Sequence, residues 1–182
     1  MTQFEFVFVI ASIVVALSLT RLFDGLGQTL QKKMSGGPVD AVQVTFGAFV
    51  TALLLVVWWA LFRWKNETDW NFLKFLTITM YMASFYALAS VLYPRKADVL
   101  PNFAEIRKTF YLILAANLSL EIFDTYLLGT LFSPWYFLLI TGHMALLCLI
   151  GLAVRNRKYD LFVGLWFLSV IVIWPFAARF TV

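Results

Sequence analysis

The sequence predicts an all-α integral membrane protein, a six-transmembrane-helix bundle with both termini outside. Of its 182 residues, 62% are hydrophobic and only 13% are charged, and the mean hydropathy is +0.85. A soluble domain of ordinary composition is about 45–50% apolar and about 25% charged. The apolar residues fall into six runs, each near the roughly 20 residues that cross a bilayer. Lysine and arginine are concentrated in alternate connections between these runs, which indicates an orientation.

The six runs follow one another with short connections, and we treat residues 1–182 as a single membrane domain. The predicted spans cover about residues 4–22, 39–62, 72–92, 109–131, 135–154 and 161–176. The first is expected to continue as an amphipathic turn or two to Gln31. No basic segment precedes it and no small-residue cleavage site follows it, so we expect it to remain in the protein rather than to be a signal peptide.

Prolines and one capping pair mark the predicted ends of the spans. Pro38 is placed at a helix start, where its missing N–H costs nothing. Pro94 ends the third span, and Pro134 lies in the turn between the fourth and fifth. Asn102 and Glu105 have the spacing with which two side chains satisfy free N–H groups at a helix start. They are therefore expected to cap the fourth helix.

Basic residues predict the orientation of the bundle. The first, third and fifth connections carry most of them: Arg21, Lys32, Lys33, Arg95, Lys96, Arg107, Lys108, Arg155, Arg157 and Lys158. The opposite side carries Arg63, Lys65, Lys74 and Arg179. Because short cytoplasmic loops are enriched in lysine and arginine, the odd-numbered connections are predicted to be cytoplasmic. The net charge of +4 is then explained by span ends in contact with the lipid bilayer, and no nucleic-acid partner is expected.

Glycines in two spans predict close helix packing. Gly25 and Gly27 follow the apolar part of the first span, and Gly47 lies in the second. A residue without a side chain lets a neighbouring helix approach closely. Packing is therefore the expected role of all three.

Polar residues at membrane depth are the candidate functional residues. Asn117, Glu121 and Asp124 lie in the fourth span at spacings of four and three, which places them on one face of a helix. The rest of that helix is mostly apolar, so this face is expected to point into the bundle. A charged side chain at the bilayer centre costs at least about 2.5–3.5 kcal/mol, which makes such residues functional candidates by default.

The only histidine, His143, lies in the fifth span. Counted from the turn between spans four and five, Glu121 is about eleven residues back and His143 about ten forward, so their depths agree to about one helical turn. We therefore expect a contact between Glu121 and His143. A carboxylate beside a histidine can relay protons or bind a cation. The alternative is a buried polar network of Asn117, Glu121, Asp124 and His143 that only fixes helix packing.

No motif in the sequence assigns a cofactor or a catalytic residue, and whether a metal binds is unknown from sequence. Cys-x-x-Cys pairs, a His-Glu-x-x-His zinc motif and a glycine-rich phosphate loop are all missing. The leading hypothesis is a small transporter or channel-like protein that handles a proton or cation. The alternative is a non-catalytic structural or regulatory subunit of a larger complex, and a membrane enzyme comes third. A homo-oligomer and a membrane-protein partner both stay open.

Two segments carry a family resemblance. One is Phe4-x-Phe6 followed by residues 12–20 and ending at Gly25, and the other is residues 86–95, from Tyr86 to Arg95, before a Tyr/Phe-rich fourth helix. Together they resemble an uncharacterised family of small bacterial polytopic inner-membrane proteins. The resemblance implies a location in a bacterial inner membrane, and it carries no function across.

Overall fold

The computed structural model describes residues 2–95, 101–131 and 136–177, with side chains up to residue 174. In this part of the chain there are six long α-helices, one 3-10 helix and no strand. The α-helices are α1 (Gln3–Met34), α2 (Ala41–Ala60), α3 (Phe72–Leu92), α4 (Phe103–Leu127), α5 (Tyr136–Ala153) and α6 (Arg157–Ala177). The 3-10 helix, Leu61–Asn66, continues α2 and is called the 3-10 segment below.

Five helical segments are long and apolar enough to cross a membrane. They are α1, α2 together with the 3-10 segment, α3, α4 and α5. The predicted all-helical, membrane-type bundle is therefore confirmed at this level. The sixth predicted span corresponds to α6, whose first turn carries Arg157, Lys158 and Asp160. The sixth crossing and the orientation of the termini stay predictions.

The predicted spans coincide with helices, but the helix ends differ. α1 runs without a break to Met34, and its 32 residues make a rod of about 48 Å. α4 begins at Phe103 and ends at Leu127, both earlier than predicted, because hydropathy marks the membrane and not the helix end. The predicted turn at Pro134, together with Lys96 and Arg179, lies outside the described residues.

The predicted capping pair of α4 is wrong. Asn102 is the N-cap residue, but its side chain makes no capping hydrogen bond. Instead, the backbone N–H of Phe103 donates to Asp40 Oδ2 at 2.9 Å. Asp40 also caps its own helix, because its Oδ1 accepts from the N–H of Val42 at 3.1 Å. A cap supplied from a distant part of the chain cannot be recognised from local spacing.

Neighbouring helices in the bundle pack closely, except for α5 and α6. α3 packs between α1 and α4, α4 also contacts α5, and α2 packs on α6, whereas the consecutive helices α5 and α6 touch little. Buried rings fill the half of the bundle where α2, α4 and α6 begin: Phe46, Phe49, Phe103, Phe110, Tyr111 and Phe167. We call these six rings the aromatic layer. The opposite half contains the cavity described below.

The ring of Tyr93, just after α3, occupies the space that a side chain would need at two of the three glycines. A Cβ atom on Gly25 would lie 2.0 Å from Tyr93 Cγ, and one on Gly47 would lie 2.4 Å from the Tyr93 hydroxyl oxygen. A Cβ atom on Gly27 would meet nothing within 4 Å. The predicted close packing is therefore confirmed at Gly25 and Gly47 and wrong at Gly27.

Candidate functional site

A cavity of about 590 Å³ lies between α2, the 3-10 segment, α4, α5 and α6. Its deep wall is apolar and includes Leu53, Leu118 and Met144. Its rim is polar and includes Asn66, Glu67, Thr68 and Thr130. From Leu118 to Leu127, where α4 ends, the helix rises about 14 Å. The cavity thus extends from the end of the bundle well into its helical part.

Glu121 lines this cavity from α4. Its side chain is partly exposed, and it makes no ion pair with any described residue. The hydroxyl of Tyr81 lies close to it without forming a full hydrogen bond, and Arg63 lines the same cavity. Glu121 therefore presents a carboxylate to whatever enters the cavity.

Asp124 lies one turn further along α4, in a different environment. It is fully buried, and its Oδ2 accepts from Arg63 Nη2 at 3.3 Å and from Trp64 Nε1 at 3.4 Å. Arg63 is partly exposed and lines the same cavity. Asp124 therefore ties α4 to the 3-10 segment and holds the guanidinium of Arg63 at the cavity wall.

Asn117 connects α4 to α3 at a deeper level. It is fully buried, and its Nδ2 donates to Ser84 Oγ at 2.7 Å. The Ser84 hydroxyl in turn donates to the backbone oxygen of Tyr81 at 2.6 Å. The prediction that Asn117, Glu121 and Asp124 face the interior is confirmed. Of the three, Glu121 alone lines the cavity.

The predicted contact between Glu121 and His143 is wrong. His143 Nε2 accepts from Trp166 Nε1 of α6 at 2.9 Å, and its Nδ1 lies 3.3 Å from the backbone oxygen of Leu139. The residues of α5 that line the cavity include Thr141 and Met144. Because each residue turns the helix by about 100°, His143 points away from that face. The equal distances of Glu121 and His143 from the turn between α4 and α5 did not determine which face of α5 carries His143.

Comparison with known protein families, with curated proteins and with solved structures finds no match to this chain. Within the described ranges, no group of three or more His, Cys, Asp or Glu side chains is arranged to hold a metal ion. What the cavity does is therefore inferred from its own residues.

The sequence reasoning missed the partners of the acidic stripe. Arg63 entered the predictions only as one of the basic residues on the outer side, and Trp64 and Tyr81 were not among the candidate site residues. The available signal was charge complementarity, since an arginine at the end of one span and an aspartate at the same end of another favour an ion pair. That signal does not give the side-chain directions that bring them together.

An ion pair at the rim orders the connection between the 3-10 segment and α3. Glu67 Oε1 accepts from the N–H of Asp69 at 2.8 Å and lies 3.3 Å from Lys74 Nζ. The Asp69 hydrogen bond, helped by Lys74, lowers the pKa of Glu67 from its ordinary value. Glu67 is thus ionised at neutral pH, and its contribution to stability is lost as the pH falls through that lowered pKa.

Proposed function

We propose that this chain is a multi-pass protein of a bacterial inner membrane, with six spans and both termini outside, that handles a proton or small cation at Glu121. One observation carries the proposal: Glu121 lines a cavity of about 590 Å³ without an ion-pair partner among the described residues, whereas Asp124 is paired. A network that served only packing is expected to be dry and fully paired. Glu121 departs from that pattern.

The residues around Glu121 have distinct proposed roles. Glu121 takes up the proton or cation from the side of the polar rim. Asp124 pairs with Arg63 at 3.3 Å, and Arg63 lines the same cavity as Glu121. Because the charges of Asp124 and Arg63 balance each other, the ionised Glu121 leaves one negative charge, and the site is suited to a single positive charge.

The aromatic layer limits how the proton or cation can move. Asn117 is the deepest of the three polar side chains on this face of α4. The next residues on the same face toward the other end, Leu114 and Phe110, are apolar and fully buried. Polar groups therefore do not continue along α4 from Glu121 through the aromatic layer. Exchange at Glu121 is proposed to occur from the rim side, and passage across the membrane would require the helices to rearrange.

Replacing Glu121 by glutamine is expected to abolish proton- or cation-linked flux into proteoliposomes, with a loss of at least about tenfold. Glutamine keeps the shape of the side chain but can neither take up a proton at neutral pH nor carry a negative charge. The measurement is the internal pH and the Na⁺ and K⁺ content of vesicles after a gradient is imposed. Glu105→Gln is the matched control, since Glu105 is exposed in the first turn of the same helix.

Glu105→Gln is expected to behave as the wild type. If Glu121→Gln retains wild-type flux, or if neither variant nor wild type shows any flux, the proposal is wrong. In the first case a fall in the stability of Glu121→Gln would assign this residue to packing.

The second candidate is a non-catalytic structural or regulatory subunit of a larger membrane complex. It is favoured by the hydrogen bonds of the other predicted residues, because Asn117, Asp124 and His143 each bond to a neighbouring segment. Such bonds are typical of helix packing in membranes. The intact mass of the particle purified in mild detergent tests this candidate, since a stoichiometric partner would support it and a particle of this chain alone would not.

A further inference from the structure

Three helix N-termini meet at the end of the bundle opposite the cavity. α2, α4 and α6 begin at Ala41, Phe103 and Arg157. Asp40 joins them, because it accepts from Val42 N–H of α2, from Phe103 N–H of α4 at 2.9 Å and from Arg157 Nη2 of α6 at 3.3 Å. Each helix N-terminus carries a partial positive charge, and Asp40 and Asn156 already accept from the N–H groups of Val42, Phe103 and Lys158. The convergence of the three N-termini favours an anion.

A pocket of about 370 Å³ lies between these N-termini. Its charged lining residues are Arg107, Arg155, Arg157, Asp40 and Asp160, three arginines against two aspartates. Both aspartates are already engaged. Asp40 accepts the hydrogen bonds just described, and Asp160 accepts from Arg107 Nε and from the Tyr111 hydroxyl. The pocket therefore has a surplus of positive charge and of donors.

Arg107 supplies a buried donor that has no acceptor. Its side chain is 5% exposed. Its Nε donates to Asp160 at 2.9 Å, and its Nη2 donates to the backbone oxygen of Val154. Its Nη1 is buried and has no partner among the described residues. A buried guanidinium N–H without an acceptor is unfavourable, so an additional oxygen close to Arg107 would stabilise this wall of the pocket.

Arg155 and Arg157 are exposed and line the same pocket. The Arg157 side chain is 74% exposed, and its single ion pair with Asp40 is 3.3 Å long, so little prevents it from turning toward a ligand. The planar guanidinium matches the oxygens of a phosphate group, which it binds through two parallel hydrogen bonds. The pocket also lies at a helix end, where headgroups of the bilayer are within reach.

We propose that this pocket binds an anionic phosphate group, held by Arg155 and Arg157 and stabilised by the charge of Arg107 and by the partial positive charge of the three helix N-termini. The phosphate belongs either to the headgroup of an anionic phospholipid or to a free phosphate compound. This site is independent of Glu121, which lies in the other half of the bundle.

The test measures binding of phosphatidylglycerol to the full chain in an uncharged detergent, by native mass spectrometry and titration. The double variant Arg155→Gln/Arg157→Gln is expected to lose at least about tenfold in affinity. The control is Lys32→Gln/Lys33→Gln, which removes the same charge from the last turn of α1, and it is expected to change the affinity less than about twofold. Wild type is expected to bind phosphatidylglycerol more tightly than phosphatidylcholine, whose phosphate is neutralised by an ammonium group.

Inorganic phosphate distinguishes the two sources. If millimolar inorganic phosphate binds to the wild type but not to the arginine double variant, and displaces the lipid, the site takes free phosphate. If it does not compete while the lipid is still lost in the double variant, the site takes a lipid headgroup. Wild-type affinity of the double variant for both probes, or an equal loss in the lysine control, would overturn the proposal.

Discussion

Replacing Asp160 by asparagine is expected to lower the free energy of unfolding by about 3–5 kcal/mol, the typical cost of removing one partner of a buried ion pair. The side chains of Asp160 and Arg107 are each 5% exposed, and Arg107 Nε lies 2.9 Å from Asp160 Oδ1. Asparagine keeps the size of the side chain but leaves the guanidinium of Arg107 buried without a counter-charge. Tyr111 also loses a charged acceptor for its hydroxyl. Chemical unfolding in mild detergent, followed by circular dichroism, measures the effect.

Two controls separate this ion pair from charge in general. Arg157→Gln removes the ion-pair partner of Asp40. Because the Arg157 side chain is 74% exposed, this change is expected to lower the free energy of unfolding by at most about 1 kcal/mol. The double variant Arg107→Met/Asp160→Leu removes both charges and is expected to recover most of the stability lost in Asp160→Asn. An Asp160→Asn variant as stable as Arg157→Gln would show that the buried pair does not stabilise the fold.

Most of the fold could be predicted from the sequence because membrane helices must satisfy their own backbone hydrogen bonds. An apolar run of sufficient length therefore predicts a helix directly, and residues 72–92 were placed at the observed bounds of α3. The helix ends were less predictable. The helix continues beyond the predicted apolar run in α1 and begins before it in α4, where polar residues are tolerated. The cap of α4 depends on Asp40, which is distant in sequence.

The candidate site could be predicted only in part. The spacing of Asn117, Glu121 and Asp124 determines that they share a face of α4, since the helical period is fixed. The partner of each one depends on how neighbouring helices are rotated about their axes, which packing decides. Asp124 consequently pairs with Arg63, and His143 turns toward Trp166. The cavity, which Glu121 lines and Asp124 does not, lies where α5 and α6 have little contact, and no local sequence pattern predicts it.

Replacing Gly25 by alanine is expected to destabilise the bundle by about 3 kcal/mol, at the upper end of the usual cost of overpacking. The added Cβ would lie 2.0 Å from Cγ of Tyr93. The ring of Tyr93 is buried, so making room requires a different side-chain rotamer in a packed interior or a shift of the end of α3. Gly27→Ala is the matched control, because a Cβ there meets nothing within 4 Å. It is expected to gain up to about 1 kcal/mol from helix propensity.

The stability lost in Gly47→Ala is expected to be restored by a second change, Tyr93→Phe, whereas the stability lost in Gly25→Ala is not. At Gly47 the nearest atom is the Tyr93 hydroxyl oxygen at 2.4 Å, and the next ring atoms lie at 3.2 Å. Tyr93→Phe removes that oxygen, which is buried without a partner among the described residues, so the single change is expected to cost little. A double-mutant cycle should therefore show strong coupling of Tyr93→Phe with Gly47→Ala and almost none with Gly25→Ala. Equal rescue of both glycines would contradict the observed placement of the ring between α1 and α2.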